Sequence, residues 1–254
     1  MRRVVFNQKG GVGKSSITCN LAAISAAQGV PTLVIDLDPQ GNSSHYLTGQ
    51  AAETLPDSMF DFFEQSLTLG GGRRALTDLI QPSQYENLYV LAAHPELESL
   101  EAKLESRYKI YKLKEALQAL GNDYQIWIDT PPALNFFSRS ALIAAQRCLI
   151  PFDCDAFSRQ ALYSLQAAID ELRSDHNEDL AIEGIVVNQY NAQANLPRQL
   201  IEELLSEQHP VLPVHLTSSV KMRESHQLSK PLIHSAPKHK LTQQFVALHE
   251  LLNG

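Results

Sequence analysis

Short apolar runs alternate along the chain with longer segments in which apolar residues recur every three or four positions. Runs of the first kind predict strands at residues 3–6, 32–35, 88–91, 125–128, 147–151, 183–188 and 211–216. Segments of the second kind predict helices at residues 16–28, 98–120, 136–145, 158–174, 196–208 and 241–252. This alternation is typical of an α/β fold in which a doubly wound, mostly parallel sheet has helices on both faces.

Residues 43–84 fit this alternation least well. They combine a short aromatic cluster with a stretch of glycine and arginine: Phe60, Phe62, Phe63, Gly70, Gly71, Gly72, Arg73 and Arg74. A mobile loop with short helices is expected there. The length of 254 residues and the apolar fraction of 44% predict a single domain over residues 1–254.

Composition argues against several classes of protein. A net charge of −7 disfavours a surface devoted to nucleic acid, although it is compatible with a local basic patch. Cys19, Cys148 and Cys154 have neither metal-binding nor disulfide spacing and are expected to be reduced. The chain shows no secretory leader and no apolar run of about 18 residues, so a soluble, cytoplasmic protein is expected.

A glycine-rich segment, KGGVGKSS at residues 9–16, follows the first predicted strand and precedes a predicted helix. This is the context that a phosphate-binding P-loop requires. Glycines allow the backbone to curl so that its N–H groups converge on phosphate oxygens, next to the positive end of the helix. The residues expected to bind phosphate in this way are Gly10, Gly11, Val12 and Gly13.

Three side chains at the end of this segment have expected roles of their own. Lys14 is expected to reach the β- and γ-phosphates of a nucleotide. Ser15 offers a hydroxyl to Mg²⁺, and Ser16 can bind the α-phosphate from the first turn of the helix.

Carboxylates follow two of the predicted strands. Asp36 and Asp38 begin the string DLDPQGN, and Asp129 begins DTPP after an apolar strand, which is the form of a Walker B segment. Because ligands of parallel sheets bind at the carboxyl ends of the strands, these side chains are expected to face the phosphates. Asp129 is expected to hold Mg²⁺ through a water. Aspartates before Pro and Gly also cap turns, and this alternative stays open.

The general P-loop pattern has its first glycine where this chain has Gln8, and an additional lysine, Lys9, follows. This arrangement resembles the deviant P-loop of the ParA/MinD family of ATPases. The strings DLDPQGN, DTPP and VVNQY, the last at residues 186–190, resemble further motifs of that family. The chain is most similar to ParA-like and Soj-like members without an N-terminal DNA-binding domain. The resemblance covers nearly the whole chain. It implies a P-loop NTPase fold and an ATP-bridged homodimer.

The resemblance also implies roles for individual residues. Lys9 would cross the dimer interface to the phosphates bound by the partner subunit, and Asp38 would position or polarise the attacking water. Asp36 would support Mg²⁺ indirectly or have a structural role. Asn188 would pair with adenine, since an amide is both donor and acceptor, and Pro213 would close the other side of the base pocket. Capping of a turn is the alternative for Asn188.

The C-terminal part of the chain is locally basic. Residues 209–249 contain a single carboxylate, Glu224, six histidines and five cations, which are Lys221, Arg223, Lys230, Lys238 and Lys240. ParA-like proteins hold DNA without sequence preference through C-terminal basic residues, and such binding depends steeply on salt. Lys221 and Arg223 are the candidates here, and association with the nucleoid would follow. Solvated surface lysines are the alternative.

These features lead to one main hypothesis and one alternative. The main hypothesis is a Mg²⁺-dependent ATPase that hydrolyses ATP slowly, under stimulation by a ParB-like or adaptor protein, and partitions a plasmid, a chromosome region or a protein cluster. The alternative is an ATP-binding scaffold for an envelope-polysaccharide or chemotaxis assembly. Membrane binding is disfavoured because residues 241–254 lack a basic amphipathic face. The cysteine spacing does not suit an iron–sulfur cluster, and no transition metal is assigned.

Overall fold

The computed structural model describes residues 1–68, 74–155 and 158–254, so Gly70, Gly71, Gly72 and Arg73 of the predicted loop lie outside the described residues. Seven strands form one sheet in the described part. They are β1 (Arg2–Val5), β2 (Thr32–Asp36), β3 (Gln81–Pro82), β4 (Leu88–Leu91), β5 (Gln125–Asp129), β6 (Arg147–Asp153) and β7 (Ala181–Asn188). Their order is β3-β4-β2-β5-β1-β6-β7. All neighbours are parallel except β3 and β4.

Helices connect the strands and cover the sheet. Those in the described residues are α1 (Lys14–Ala27), α2 (Asn42–Thr48), α3 (Met59–Leu67), α4 (Leu97–Ser106), α5 (Lys112–Leu120), α6 (Phe136–Ala144), α7 (Ser158–His176), α8 (Asn195–Ser206), α9 (Val220–Gln227), α10 (Leu232–Ser235) and α11 (Lys240–Asn253). Short 3₁₀ turns lie at Ala52–Thr54 and Leu76–Leu79. Apart from the residues that are not described, the region 43–84 thus contains the short helices that the sequence predicts.

Alternate residues of each central strand pack into two different hydrophobic cores, as the two-residue period of a strand requires. In β5, Ile126 and Ile128 join the core covered by α3 to α8, whereas Trp127 joins the core covered by α1, α2, α10 and α11. Both cores are extensive, and each fully buried large side chain contributes about 1.5–3 kcal/mol of hydrophobic stabilisation. The predicted fold class, a mostly parallel, doubly wound sheet with helices on both faces, is therefore confirmed.

The strand predicted at residues 211–216 is wrong, because this segment pairs with β7 only at one isolated bridge, between Val211 and Ile185. The backbone N–H of Leu212 donates to Ile185 O and that of Leu216 donates to Val187 O. Between these two hydrogen bonds the segment thus advances by four residues while β7 advances by two, whereas regular parallel pairing would advance both by the same number. Pro213 lies among the extra residues and has no N–H to donate to a strand ladder, which explains the irregular path of the segment.

The single helix predicted at residues 98–120 is also wrong, since the structure has two helices, α4 and α5. The buried stripe of α4 ends at Leu104, and that of α5 begins at Leu113. Nine residues at 100° each would place these leucines on opposite faces of one continuous helix. The chain instead breaks at Tyr108, whose φ is +53°, and both stripes face the same core.

Candidate nucleotide-binding site

The loop between β1 and α1 curls around the N-terminus of α1. Gly11 and Gly13 have φ values of +76° and +92°, which side-chain-bearing residues rarely adopt, so glycine is needed at both positions. Val12 between them is fully buried, whereas Gly10 is exposed. A glycine loop at the start of a helix is the arrangement in which backbone N–H groups and the helix dipole bind phosphate.

The end of β7 braces this loop. Asn188 Nδ2 donates to Val12 O at 2.8 Å, and Gln189 Nε2 donates to Gly11 O at 2.9 Å. A Cβ at Gly13 would lie only 2.2 Å from Asn188 Nδ2. The sequence predicts an adenine contact for Asn188, and the structure places its amide nitrogen on the P-loop. The adenine contact of Asn188 stays a prediction, as does that of Pro213, which is exposed beside β7.

The side chains that end the P-loop lie in the first turn of α1. Lys14 is buried, and its Nζ donates to Lys9 O at 3.0 Å. Burial lowers the pKa of Lys14, while the charges of Asp129 and Asp38 act in the opposite direction. Ser16 Oγ lies 2.9 Å from Nε2 of His226, a residue of α9.

Asp36 and Asp129 end two adjacent parallel strands, β2 and β5, and are paired in register. Both side chains are fully buried, and Asp38 two residues further is buried as well. Asp36 Oδ1 accepts a hydrogen bond from Asp38 N at 3.1 Å, and Asp38 Oδ1 accepts one from Gln40 N at 3.0 Å. The structure thus brings the three predicted carboxylates together at the carboxyl edge of the sheet, next to the P-loop.

Two serines at the start of α2 hold the carboxylates in place. Ser43 Oγ donates to Asp129 Oδ2 at 2.7 Å. The backbone N–H and the hydroxyl of Ser44 both donate to Asp36 Oδ2, at 2.8 and 2.7 Å. Ser44 Oγ also accepts from Ala93 N at 2.9 Å, so the Asp36 carboxylate is oriented by a chain of hydrogen bonds.

Burial raises the pKa of both Asp36 and Asp129, and the nearby negative charge of Asp129 raises that of Asp36 further. Hydrogen bonds from Ser44 to Asp36, and from Ser15 and Ser43 to Asp129, act in the opposite direction. Two buried carboxylates at one sheet edge, each bonded to a serine hydroxyl, form an all-oxygen donor set. Mg²⁺ prefers such oxygen ligands, so the residues present fit this ion.

The second lysine of the loop does not lie with the first. Lys9 Nζ is 2.6 Å from Asp153 Oδ2, at the end of β6, and also forms an ion pair with Asp155. Burial disfavours the charged ammonium group, but the hydrogen bonds and charges of the two carboxylates outweigh it and raise the pKa of Lys9. Asn7 supports this arrangement, since it accepts from Lys9 N at 2.9 Å and donates to Pro151 O at 2.7 Å.

The predicted basic surface is centred on α9. Lys221 and Arg223 are both exposed there, and Lys221 Nζ is 2.6 Å from Glu224 Oε2. Three of the six histidines in the C-terminal region add little charge to this surface. Burial lowers the pKa of His226, His234 and His249, so their rings are neutral near pH 7.

Several residues of the site carry no role in the sequence analysis. Gln189 follows Asn188 directly, and Ser43 and Ser44 follow the DLDPQGN string, so adjacency to a motif is the signal that could have indicated them. His226 has no such signal. It is 210 residues from Ser16 in the sequence, and only the fold brings them together.

A P-loop at a helix N-terminus, with acidic residues at the ends of adjacent parallel strands, defines the class of P-loop nucleoside triphosphatases. A family model described as "AAA domain" matches residues 3–182. The chain is 32% identical over 247 residues to the chromosome partitioning protein ParA of Myxococcus xanthus, covering 96% of this chain and 84% of that protein. It is 30% identical over 247 residues to the sporulation initiation inhibitor protein Soj of Bacillus subtilis, covering 96% and 94%. The chain therefore belongs to the ParA/MinD family of P-loop ATPases, as the sequence motifs predict.

Solved structures agree on the fold. A structure described as cobyrinic acid a,c-diamide synthase from Mycobacterium smegmatis with bound ATP analog and magnesium has a TM-score of 0.85 and 24% identity. The match covers 100% of this chain and 94% of that chain, and at this identity it supports the fold alone. Within the described residues, none of the helices has the length and apolar character needed to cross a bilayer.

Proposed function

We propose that this chain is an ATP-dependent dimerisation switch that hydrolyses ATP slowly and positions a cargo, with a partner protein stimulating hydrolysis. The positioning role is supported by its relatives, one of which is named for chromosome partitioning. The observation that carries the proposal is the placement of Lys9. Its ammonium group pairs with Asp153 and Asp155 and not with groups of the P-loop, and its side chain is 35% exposed, so a second chain can reach it.

Each step of nucleotide binding can be assigned to residues of the P-loop. Backbone N–H groups of residues 10–13 bind the phosphates, and Lys14 supplies the positive charge to the β- and γ-phosphates. The Lys14 ammonium group exchanges the Lys9 carbonyl for phosphate oxygens. Ser16 binds the α-phosphate from the first turn of α1.

The carboxylate cluster provides the groups for hydrolysis. Ser15 and Asp129 would hold Mg²⁺, Asp129 through a water, and Asp36 would brace the site through Ser44. Bound Mg²⁺ would neutralise charge that develops on the phosphates. Asp38 orients the attacking water, and because burial raises the pKa of Asp38, its carboxylate accepts a proton more readily than an exposed aspartate.

Dimerisation follows from the different positions of the Lys9 and Lys14 ammonium groups. Lys14 neutralises the phosphates of its own chain, and Lys9 leaves Asp153 and Asp155 to bind the phosphates of the partner subunit. ATP carries one more negatively charged phosphate than ADP, so ATP attracts the incoming lysine more strongly. On the closed dimer, the exposed cations of α9 form the surface proposed to bind DNA.

Light scattering after size-exclusion chromatography tests the proposal. Wild-type protein with a slowly hydrolysed ATP analogue should have the mass of a dimer, and with ADP the mass of a monomer. Lys9→Ala should bind the analogue and stay monomeric. Lys112→Ala, which removes a lysine of α5 that is ion-paired with Glu115, is the matched control and should dimerise normally. A mass independent of nucleotide in wild-type protein would refute the switch.

A further inference from the structure

Helix α9 carries the cations proposed to bind DNA, yet it buries little of its own surface. Of its eight residues only Ser225 is buried, and Val220 at its start is 56% exposed. A helix that buries so little apolar surface owes its position to a few individual contacts, and such segments open or shift most readily.

These contacts lead to the phosphate site. His226 Nε2 lies 2.9 Å from the Oγ of Ser16 in the P-loop. The His226 ring stacks on Tyr46 of α2, with centroids 4.4 Å apart and an interplanar angle of 21°. The Tyr46 hydroxyl lies 2.9 Å from Ser225 Oγ. The same helix α2 begins with the serines that hold the carboxylate cluster, so α9 contacts both sides of the site.

We propose that His226 positions the hydroxyl of Ser16 for the α-phosphate of a bound nucleotide and thereby ties the position of α9 to nucleotide occupancy. The proposal rests on the proposed function in one respect, which is that the P-loop binds ATP and ADP. A phosphate oxygen has no hydrogen to offer, so Ser16 must donate to it. The Ser16 oxygen then accepts from the Nε2–H of His226. This gives a chain of two hydrogen bonds in which each polarises the other.

A bound nucleotide changes the hydrogen bond between His226 and Ser16 because it fixes which of the two residues is the donor. Without a phosphate, a neutral His226 ring can either accept from or donate to Ser16, depending on its tautomer. With a phosphate, only the donating ring allows both hydrogen bonds. The α-phosphate is common to ADP and ATP, so α9 responds to either nucleotide and does so before any dimer forms.

Two variants separate the hydrogen bond from the ring contact. His226→Phe keeps a ring to stack on Tyr46 but removes the hydrogen bond to Ser16, and His226→Gln keeps an N–H donor. The matched control is His234→Phe, because His234 of α10 stacks on Tyr85 in the same way, at 4.3 Å and 4°, while its Nε2 has no hydrogen-bond partner among the described residues. The measurements are ADP affinity by calorimetry and amide hydrogen exchange of residues 220–227 with and without saturating ADP.

In wild-type protein, ADP should slow exchange in α9. His226→Phe should weaken ADP binding about fivefold, as expected for one hydrogen bond of ordinary strength, and saturating ADP should no longer slow exchange in α9. His226→Gln should retain much of both effects, and His234→Phe should match wild type. Exchange in β1 and β5 checks that each variant is folded.

The proposal is overturned if wild-type α9 does not respond to ADP, or if His226→Phe keeps both the affinity and the response. An equal loss in His234→Phe would also overturn it. Failure of the proposed function looks different, because the wild-type protein itself would then bind no nucleotide, or would bind the ATP analogue without forming a dimer in light scattering.

Discussion

The ion pairs of Lys9 within its own chain should oppose dimerisation, and removing them should strengthen the ATP-bound dimer. In the proposed switch this lysine must leave Asp153 and Asp155 before it reaches the partner's phosphates. Replacing both carboxylates by amides, as Asp153→Asn with Asp155→Asn, keeps their size and their hydrogen-bonding capacity but removes the opposing charge.

The size of the effect follows from the exposure of the pair. The lysine side chain is 35% exposed, and the carboxylates are 23% and 47% exposed. Such partly exposed pairs contribute about 0.2–1 kcal/mol each, so together they hold Lys9 with about 1 kcal/mol. A dimer withdraws two lysines, which costs about 2 kcal/mol. The double variant should therefore lower the dissociation constant of the dimer about 30-fold, and each single variant about fivefold.

Sedimentation equilibrium with a slowly hydrolysed ATP analogue measures this dissociation constant directly. Glu115→Gln is the control for the charge change, since it removes the carboxylate of another lysine ion pair, to Lys112 of α5, at 2.5 Å. This control should leave the dimer unchanged. A double variant whose dissociation constant equals or exceeds that of wild type would show that the ion pairs do not restrain Lys9, and the reasoning would be refuted.

Two further substitutions and one control test the loop and the fold. Gly13→Ala should weaken nucleotide binding, because its Cβ would lie 2.2 Å from Asn188 Nδ2 and displace the side chain that braces the loop, whereas Gly29→Ala, at φ +83° with no atom within 4 Å, should bind normally. Gly29→Ala should cost only about 1–2 kcal/mol of stability. Calorimetry distinguishes the two, and normal binding by both would contradict the clash. Arg3→Met should lower the free energy of unfolding by about 3 kcal/mol, because Arg3 is 2% exposed and bonded to Glu183 at 2.8 Å. Urea titration measures this, and a change within about 0.5 kcal/mol would show that the ion pair is not structural.

The sequence was informative wherever the chemistry is local or follows from strand direction. The P-loop is continuous in the chain, and its glycines are needed for the φ values that the structure shows. The convergence of Asp36 and Asp129 follows from a general rule, since both end parallel strands and such ends share one edge of the sheet. Six of the seven predicted strands correspond to strands in the structure because their apolar runs are bounded by turns and polar residues.

Features that depend on packing between distant segments could not be predicted in this way. For residues 98–120, the prediction did not take account of the angular position of each apolar residue around the helix. Leu104 and Leu113 lie on one face only if the segment forms two helices. A serine such as Ser44 carries no functional signal until α2 is placed beside β2. The contact between Ser16 and His226 depends on a segment near the C-terminus that packs on α1. The sequence alone does not distinguish His226 from the other histidines of that region.

The carboxylate cluster connects the fold to the proposed chemistry. Parallel pairing of β2 with β5 places Asp36 directly beside Asp129, and the helices on both faces exclude water from them. Burial and repulsion then favour protonation of at least one carboxylate, which weakens folding at pH values where both must ionise. Apolar residues at these positions would have made a more stable sheet. The Lys14 ammonium group offsets part of the negative charge, and a divalent cation would offset the rest. The same sheet edge is therefore unfavourable for an isolated domain and well suited to a phosphate–magnesium complex, which explains why binding of nucleotide with Mg²⁺ should stabilise this part of the protein most.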